Sequence, residues 1–361
     1  FGRRGFEYFW TNEARKRTYL DHNATTPLRA EARAAMCAAM DVVGNPSSVH
    51  AEGRAAKALI ENARGQIAQA LGAGDADIVF TSSATEAAAL ACAGRGLHGG
   101  EIEHEAVLAW VKPDLPVDAK GKADVADAAQ TALQLANSET GILQDIPAGL
   151  AVCDLTQALG KVPLRFDELG VDMAIVSAHK LGGPKGVGAL VLRRGLDIAA
   201  QIKGGGQEMG RRSGTENTIG IAGFGAAATA AVADVAAGRW EKIGQFRNIL
   251  EKALEAGVNK TIFVGKGVGR LPNTSCFAAP GWKGETQVMQ MDLSGFAVSA
   301  GSACSSGKVR ASRVLRAMGY GDEVAGSAIR VSLGLETQED DVVRFAETWL
   351  DKRHKHARRA A

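Results

Sequence analysis

Along the chain, alanine-rich stretches with helical patterning alternate with short runs of β-branched and other apolar residues. AEARAAMCAAM (30–40) and AEGRAAKALIENARGQIAQAL (51–71) predict helices. DIVFTS (77–82) predicts a strand, and ATEAAALACAG (84–94) a helix after it. ALQLAN (132–137), LAVCD (150–154), MAIVSAHK (173–180) and GALVLR (188–193) predict four more strands. From about Ile219 one long helix is expected, through GIAGFGAAATAAVADVAAGRWEKIGQFRNILEKAL (220–254). Beyond it the pattern turns to short strands and helices, with NTSCFAA, AVSAGSACSS and AIRVSLG as landmarks. Alternation of this kind predicts an α/β architecture: a large unit with a mostly parallel sheet flanked by helices, plus a smaller α+β unit. The large unit is expected over 29–221, and the small one over 1–28 and 222–361. Ligands of such sheets sit at the carboxyl ends of the strands.

One connection looks too short. ALQLAN and LAVCD should be parallel neighbours, which need a crossover of about a dozen or more residues, usually with a helix. Only SETGILQDIPAG separates Asn137 from Leu150, and Pro147 and Gly149 oppose a helix there. VKPDLPVDAKGK likewise breaks any helix begun by EAVLAW. One face of the sheet near 110–150 should therefore lack helical cover. Its apolar surface would be exposed, or covered by the aromatic N-terminal arm (Phe1, Phe6, Tyr8, Phe9, Trp10) or by a partner. Alternatively the sheet edge is smaller and self-sufficient.

Composition narrows the function. With 361 residues, 46% of them hydrophobic, the chain can bury a large core and is long enough for two domains. A formal net charge of +2 argues against a nucleic-acid or membrane-surface binder. No apolar run is read as reaching the roughly 20 residues of a membrane helix. The start, FGRRGFEYFWTNEARKR, has no signal-peptide core, and a docking arm or cloning remnant fits it better than a transit peptide. The tail DKRHKHARRAA is basic and is expected to fray. The five cysteines are odd in number and none pair at metal-ligand spacing, so reduced thiols in a cytoplasmic setting are expected.

Four segments place polar groups at strand ends. TSSATEAA (81–88) brings Thr85 to a helix start, where backbone N–H groups can bind an anion; a plain N-cap is the alternative. Asp154 ends an apolar run, and could keep a pyridine nitrogen protonated or merely cap a turn. Ser177, His179 and Lys180 follow a buried strand and precede a glycine loop, a setting for a Schiff-base lysine. KGGGQEMGRRSGTENT is dense in glycine, arginine and hydroxyls, as an anion loop would be. Further on, Cys304 sits among small residues in SAGSACSSGK, where a mobile loop could carry a nucleophilic thiol.

YLDHNATTP, GNPSSVH, FTSSATE, EHEAVL, NSETGILQ, DLTQALGK, SAHKLGGPKG, RRSGTEN and SAGSACSS follow one another from Tyr19 to beyond Cys304. In this order they resemble the cysteine desulfurases of the NifS/IscS type, in the class V, fold-type I aminotransferase superfamily. The resemblance implies pyridoxal 5′-phosphate held by Lys180, with His104 stacked on its ring and active in proton transfer. It implies that Asp154 pairs with the ring nitrogen and Gln157 with the phenolic oxygen. Thr85, Ser177 and His179, with the backbone of Ala84, would hold the phosphate. Thr215 would reach the phosphate of the other subunit of a homodimer. Arg330 would grip the substrate carboxylate, and Cys304 would take sulfur from L-cysteine and pass it to an acceptor, as in iron–sulfur cluster assembly. Two departures stand out: Ser138 replaces an Asn that usually touches the phenolic oxygen, and Ser83 replaces a usual Gly of the phosphate loop. The alternatives are a selenocysteine lyase or another β-lyase on this fold, and a non-catalytic dimeric scaffold.

Overall fold

The structure is a computed structural model that describes residues 17–258, 260–301 and 311–360. The aromatic arm and Cys304 lie outside the described residues.

The chain enters through the short strand β1 (Thr18–Tyr19) and two helices, α1 (Ala30–Met40) and α2 (Ala51–Leu71). α2 starts where the His50 ring accepts from Gly53 N–H, and stops at Gly72 in the left-handed conformation (φ 57°). The following elements run β2 (Ala76–Thr81), α3 (Ala84–Cys92), β3 (His98–Gly100), α4 (Glu105–Leu108), β4 (Lys112–Leu115), β5 (Ala132–Gln134) and β6 (Val152–Asp154). Then come α5 (Phe166–Leu169), β7 (Met173–Ser177), β8 (Gly188–Arg193), α6 (Thr218–Ala236) and α7 (Arg239–Gly257). The main sheet has the order β2-β8-β7-β6-β5. β5, β6 and β7 are mutually parallel, while β8 runs antiparallel to both β7 and β2. Four strands thus share one direction, and the sheet is mixed through β8 alone.

The single long helix expected over 220–254 is two. Gly238, at φ 69°, ends α6 and turns the chain into α7. Only glycine adopts that conformation without strain. α6 is long and apolar enough to cross a membrane, which corrects the sequence reading. In the fold it packs on α1 and α2, with Ile221, Phe224, Ala227, Ala228 and Ala231 in the large core. Glycines allow the close approach: a Cβ on Gly225 would lie 2.8 Å from the Ala63 backbone. α6 thus belongs to the large core, while Ile243, Phe246 and Leu250 of α7, beyond Gly238, belong to a second one.

The smaller unit holds β9 (Ile262–Phe263), β10 (Thr274–Ala278), α8 (Gly284–Leu293), β11 (Phe296–Ala297), β12 (Ser299–Ala300), α9 (Arg313–Ala317), α10 (Asp322–Ala325), β13 (Ala328–Ser332) and α11 (Glu339–Ala360). Its antiparallel sheet has the order β12-β13-β10-β9. A second core joins Ile243, Phe246 and Leu250 of α7 to Phe277, Trp282, Phe345 and Trp349. Leu20 enters this core, and β1 pairs with β11, so the N-terminal segment starts in the small unit.

The short crossover is real. β5 and β6 pair in parallel, Leu133 opposite Cys153, with no helix between Thr140 and Leu150. The EAVLAW helix is likewise cut to four residues. Yet the expected exposed strand surface is absent: Ala132, Leu133, Val152 and Cys153 are all buried. Val107 and Val111 cover one face, and Ala123, Val125, Leu135 and Ile146 pack against the core of the other. Among the described residues α4 and irregular chain do the covering, as a self-sufficient edge would; the aromatic arm lies outside the described residues.

Candidate active site around Lys180

The buried strand β7 runs into a 3-10 turn, Ala178–Lys180, which turns the Lys180 side chain out at the strand's carboxyl end. There it meets the segment after β1. Lys180 Nζ donates to the carbonyls of Asn23 (2.7 Å) and Ala24 (2.9 Å). Thr26 fastens this crossing, its N–H donating to the His179 carbonyl and its hydroxyl to that of Lys180. Asn23 is fully buried and also bonds Thr274 and Asn273 of the small unit. It therefore joins both domains beneath Lys180.

The other strand ends deliver the remaining groups. Asp154 ends β6, and its carboxylate accepts from Thr156 N–H at 2.8 Å, so it does cap the following turn. Opposite it in register is Gln134, whose N–H donates to Glu103. Glu103 adjoins His104, so Asp154 and His104 lie at the same end of the sheet. Burial raises the Glu103 carboxyl well above its ordinary range. His104 caps α4, with Nδ1 accepting from Ala106 N–H at 3.1 Å. In the neutral form of the ring this bond would leave the proton on Nε2. Gln157 is buried, and its Nε2 donates to the Asn23 carbonyl at 3.0 Å.

The expected anion residues converge at Gly188. Thr81 and Ser177 flank it in register, and a Cβ there would lie 2.6 Å from the Ser83 carbonyl carbon and 2.9 Å from Ala84 N. Only a glycine lets the Ser83–Thr85 loop rest on β8, with the N-terminus of α3 beside Ser177. Ser83, the departure from the usual glycine, is the N-cap: its hydroxyl accepts from Glu86 N–H. His179 contacts the Thr25 hydroxyl at 3.2 Å. Burial, then Lys180, Lys185 and Lys161, hold its pKa down at about 4. Thr215 is exposed and shares a hollow of about 110 Å³ with Thr81, Ser82 and Arg212.

Residues 18–345 match the family described as Aminotransferase class-V. The chain belongs to that family. Among its class V relatives, the cysteine desulfurase IscS of Dictyoglomus turgidum is 36% identical, over 91% of this chain and 92% of its own length. A cysteine desulfurase of Cereibacter sphaeroides is 39% identical over 92% of this chain and 94% of its own. The solved structure of a NifS-like protein from Rickettsia africae superposes with a TM-score of 0.85 at 34% identity, covering 94% of this chain and 99% of that one. Within class V the chain is thus a member of the cysteine desulfurases, a family of pyridoxal-phosphate enzymes.

Two details of this class V site were not legible in the sequence. Arg330, on β13, is not an open fork. Its Nη2 binds Asp21 at 2.7 Å, its Nη1 donates to the Ser138 carbonyl at 2.9 Å, and it is only 3% exposed. Its Nε is buried without a hydrogen-bond partner among the described residues. Ser138 thus acts here through its backbone, and also receives Asn23 Nδ2. Asp21 binds the hydroxyl of Ser299 too, on the strand that leads towards Cys304. The second detail is Lys161, fully buried, whose Nζ donates to the carbonyl and to the Oε1 of Gln157, both at 3.0 Å. Burial first, then Lys180 and Arg330, pull its pKa down to about 7. YLDHNATTP and DLTQALGK were the places to find Asn23 and Lys161, but neither motif tells which of its residues face Lys180.

Proposed function

We propose that the chain is a pyridoxal 5′-phosphate-dependent cysteine desulfurase, converting L-cysteine to L-alanine with a persulfide left on Cys304. The observation that carries the reading is the convergence of Lys180, His104, Asp154 and the Ser83–Thr85 loop at one end of one sheet.

The residues suit this cofactor. Burial first, and then the neighbouring cations led by Lys180, lower the pKa values of Lys161 and His179. A dianionic phosphate beside His179 would offset part of that positive charge. The α3 N-terminus, Ser177 and His179 would hold the phosphate, Lys180 the aldehyde carbon, Asp154 the ring nitrogen and Gln157 the phenolic oxygen. When bound, the cofactor would supply an electron sink for charge developing at the substrate α-carbon. Lys180 and His104 would move the protons, His104 through Nε2. Arg330, with Nε as its unpartnered donor, would recognise the substrate carboxylate. Cys304 would take the sulfur, leaving alanine, and hand it to an acceptor protein of the kind that serves iron–sulfur cluster assembly.

A homodimer is part of the proposal. Exposed Thr215 would reach the phosphate of the other subunit. Beside it lies an open groove of about 980 Å³ lined by Pro46, Arg64 and Met209, where that subunit would sit. The cysteines in the described residues are free, which fits a cytoplasmic compartment. The test is direct. Purified protein with pyridoxal phosphate and L-cysteine should form alanine and, with a thiol reductant, sulfide in equal amounts. Cys304→Ser should still bind cysteine but carry no persulfide. Persulfide found on another cysteine of the wild type would overturn the role of Cys304.

A further inference from the structure

Lys161 has no part in the mechanism, yet it is an amine 4% exposed in the same cluster as Lys180. Burying an amine costs free energy unless it does something in return. Its bonds suggest what. An amide side chain can be turned either way at little cost, and only its partners decide where oxygen and nitrogen point. Lys161 Nζ donates one N–H to the Gln157 carbonyl and another to Oε1, two donors that the amine keeps whether charged or neutral, so Gln157 presents Oε1 to Lys161. That leaves Nε2 on the opposite side, where one N–H reaches the Asn23 carbonyl, the same oxygen that receives Lys180. The second N–H of Nε2 is then the donor available to a ligand oxygen beside Lys180. A flipped Gln157 would face Lys161 with N–H against N–H and turn an acceptor towards that ligand oxygen.

We propose that Lys161 is a positioning residue. It locks the Gln157 amide so that its nitrogen, and not its oxygen, faces Asn23 and the phenolic oxygen of the cofactor. The inference rests on the cofactor reading above. The cavity beside it, about 220 Å³ and lined by His22, Thr26, Lys161, Lys180, Trp240 and Gly334, gives substitutions at 161 room to relax.

A double-mutant cycle on cofactor affinity tests it, with the full chain and pyridoxal phosphate as the probe. Lys161→Met keeps the length of the side chain and removes the donor. It should raise the dissociation constant of pyridoxal phosphate about tenfold, the size of one charge-assisted hydrogen bond. Gln157→Ala should do the same. The double variant should be no worse than Gln157→Ala alone, because Lys161 would act only through Gln157. The visible band of the bound cofactor should also shift in Lys161→Met as it does in Gln157→Ala. Lys161→Gln is the second variant should Lys161→Met fold poorly, judged by circular dichroism and the apo-protein melt. Multiplying effects, near a hundredfold in the double variant, would mean that Lys161 only supports the fold, and so would an unchanged affinity in Lys161→Met. A wild-type protein that takes up no pyridoxal phosphate would instead sink the function proposed above.

Discussion

The two sides of the Lys180 site differ in how far the chain completes them by itself. On the Asn23 side the polar groups bind one another: Lys180 and Gln157 to the Asn23 carbonyl, Lys161 to Gln157, Arg330 to Asp21 and Ser138. This side also ties the two domains together, through Asn23 to Asn273 and Thr274. On the Gly188 side the loop that begins at Ser83 is open, and Thr85 and Thr215 are exposed. One half is thus held by folding, while the other is left open to solvent, where the proposed cofactor and second subunit would complete it. Substitutions on the Asn23 side should therefore change the stability of the cofactor-free protein. Those on the Gly188 side should change only binding.

The largest effect belongs to Lys180, which serves both halves. Lys180→Ala should abolish turnover and the yellow colour of a lysine-linked pyridoxal; full turnover in this variant would break the assignment. Asp154→Ala should cut turnover by several orders of magnitude, since the ring-nitrogen partner is lost. A change below about tenfold, or about 1.4 kcal/mol, would reduce Asp154 to the cap it also is. Arg330→Ala leaves Asp21 facing a buried site without its cation. Thermal melts of the cofactor-free protein should reveal a loss of about 3 kcal/mol, with a raised cysteine requirement beside it.

Acid should act on the Asn23 side as well. His22 is held near pKa 4, chiefly by burial, against an ordinary 6.5. It is neutral in the fold and takes up a proton more readily when unfolded. Its contribution is therefore full above about pH 6.5 and is lost as the pH falls towards 4. For His22 this amounts to about 3 kcal/mol. His22→Asn should flatten that part of the stability profile, and an unchanged slope would put the acid sensitivity elsewhere. The smallest effect is expected from Thr215→Ala, which should weaken cofactor binding and leave the cofactor-free melt within about 0.5 kcal/mol of wild type. A clear loss of stability there would erase the contrast between the two sides.

Helix boundaries were read well where local signals are strong. The predicted spans 30–40 and 51–71 coincide with α1 and α2, because alanine propensity acts locally in both and Gly72 stops α2. The five strands of the main sheet were found too, since each is a short apolar run bounded by polar residues. The long helix was misread because Gly238 carries no mark of its conformation until α7 packs on the second core. The sheet edge at 132–154 was read correctly in its missing helix and incorrectly in its exposure. Local sequence reveals that a helix cannot form, but not that irregular chain on either side of β5, at Ala123, Val125, Leu135 and Ile146, will pack over the strands.

What the sequence determined by itself is the inventory and its order: a lysine after a buried strand, an aspartate at the end of another, a hydroxyl loop at a helix start, a cysteine among small residues. These follow from local patterning, and with the motif order they are enough to reach the family. Which side chains point at one another is settled by the folding of distant segments onto each other. Asn23, Gln157 and Lys180 come from three separate segments; Gln157 and Lys180 share the Asn23 carbonyl, and Lys161 donates to that of Gln157, backbone acceptors that are the same in every residue. Hydrogen bonds of that kind leave no trace in residue identity, so Lys161 could be seen as part of the site only once the fold had brought it there.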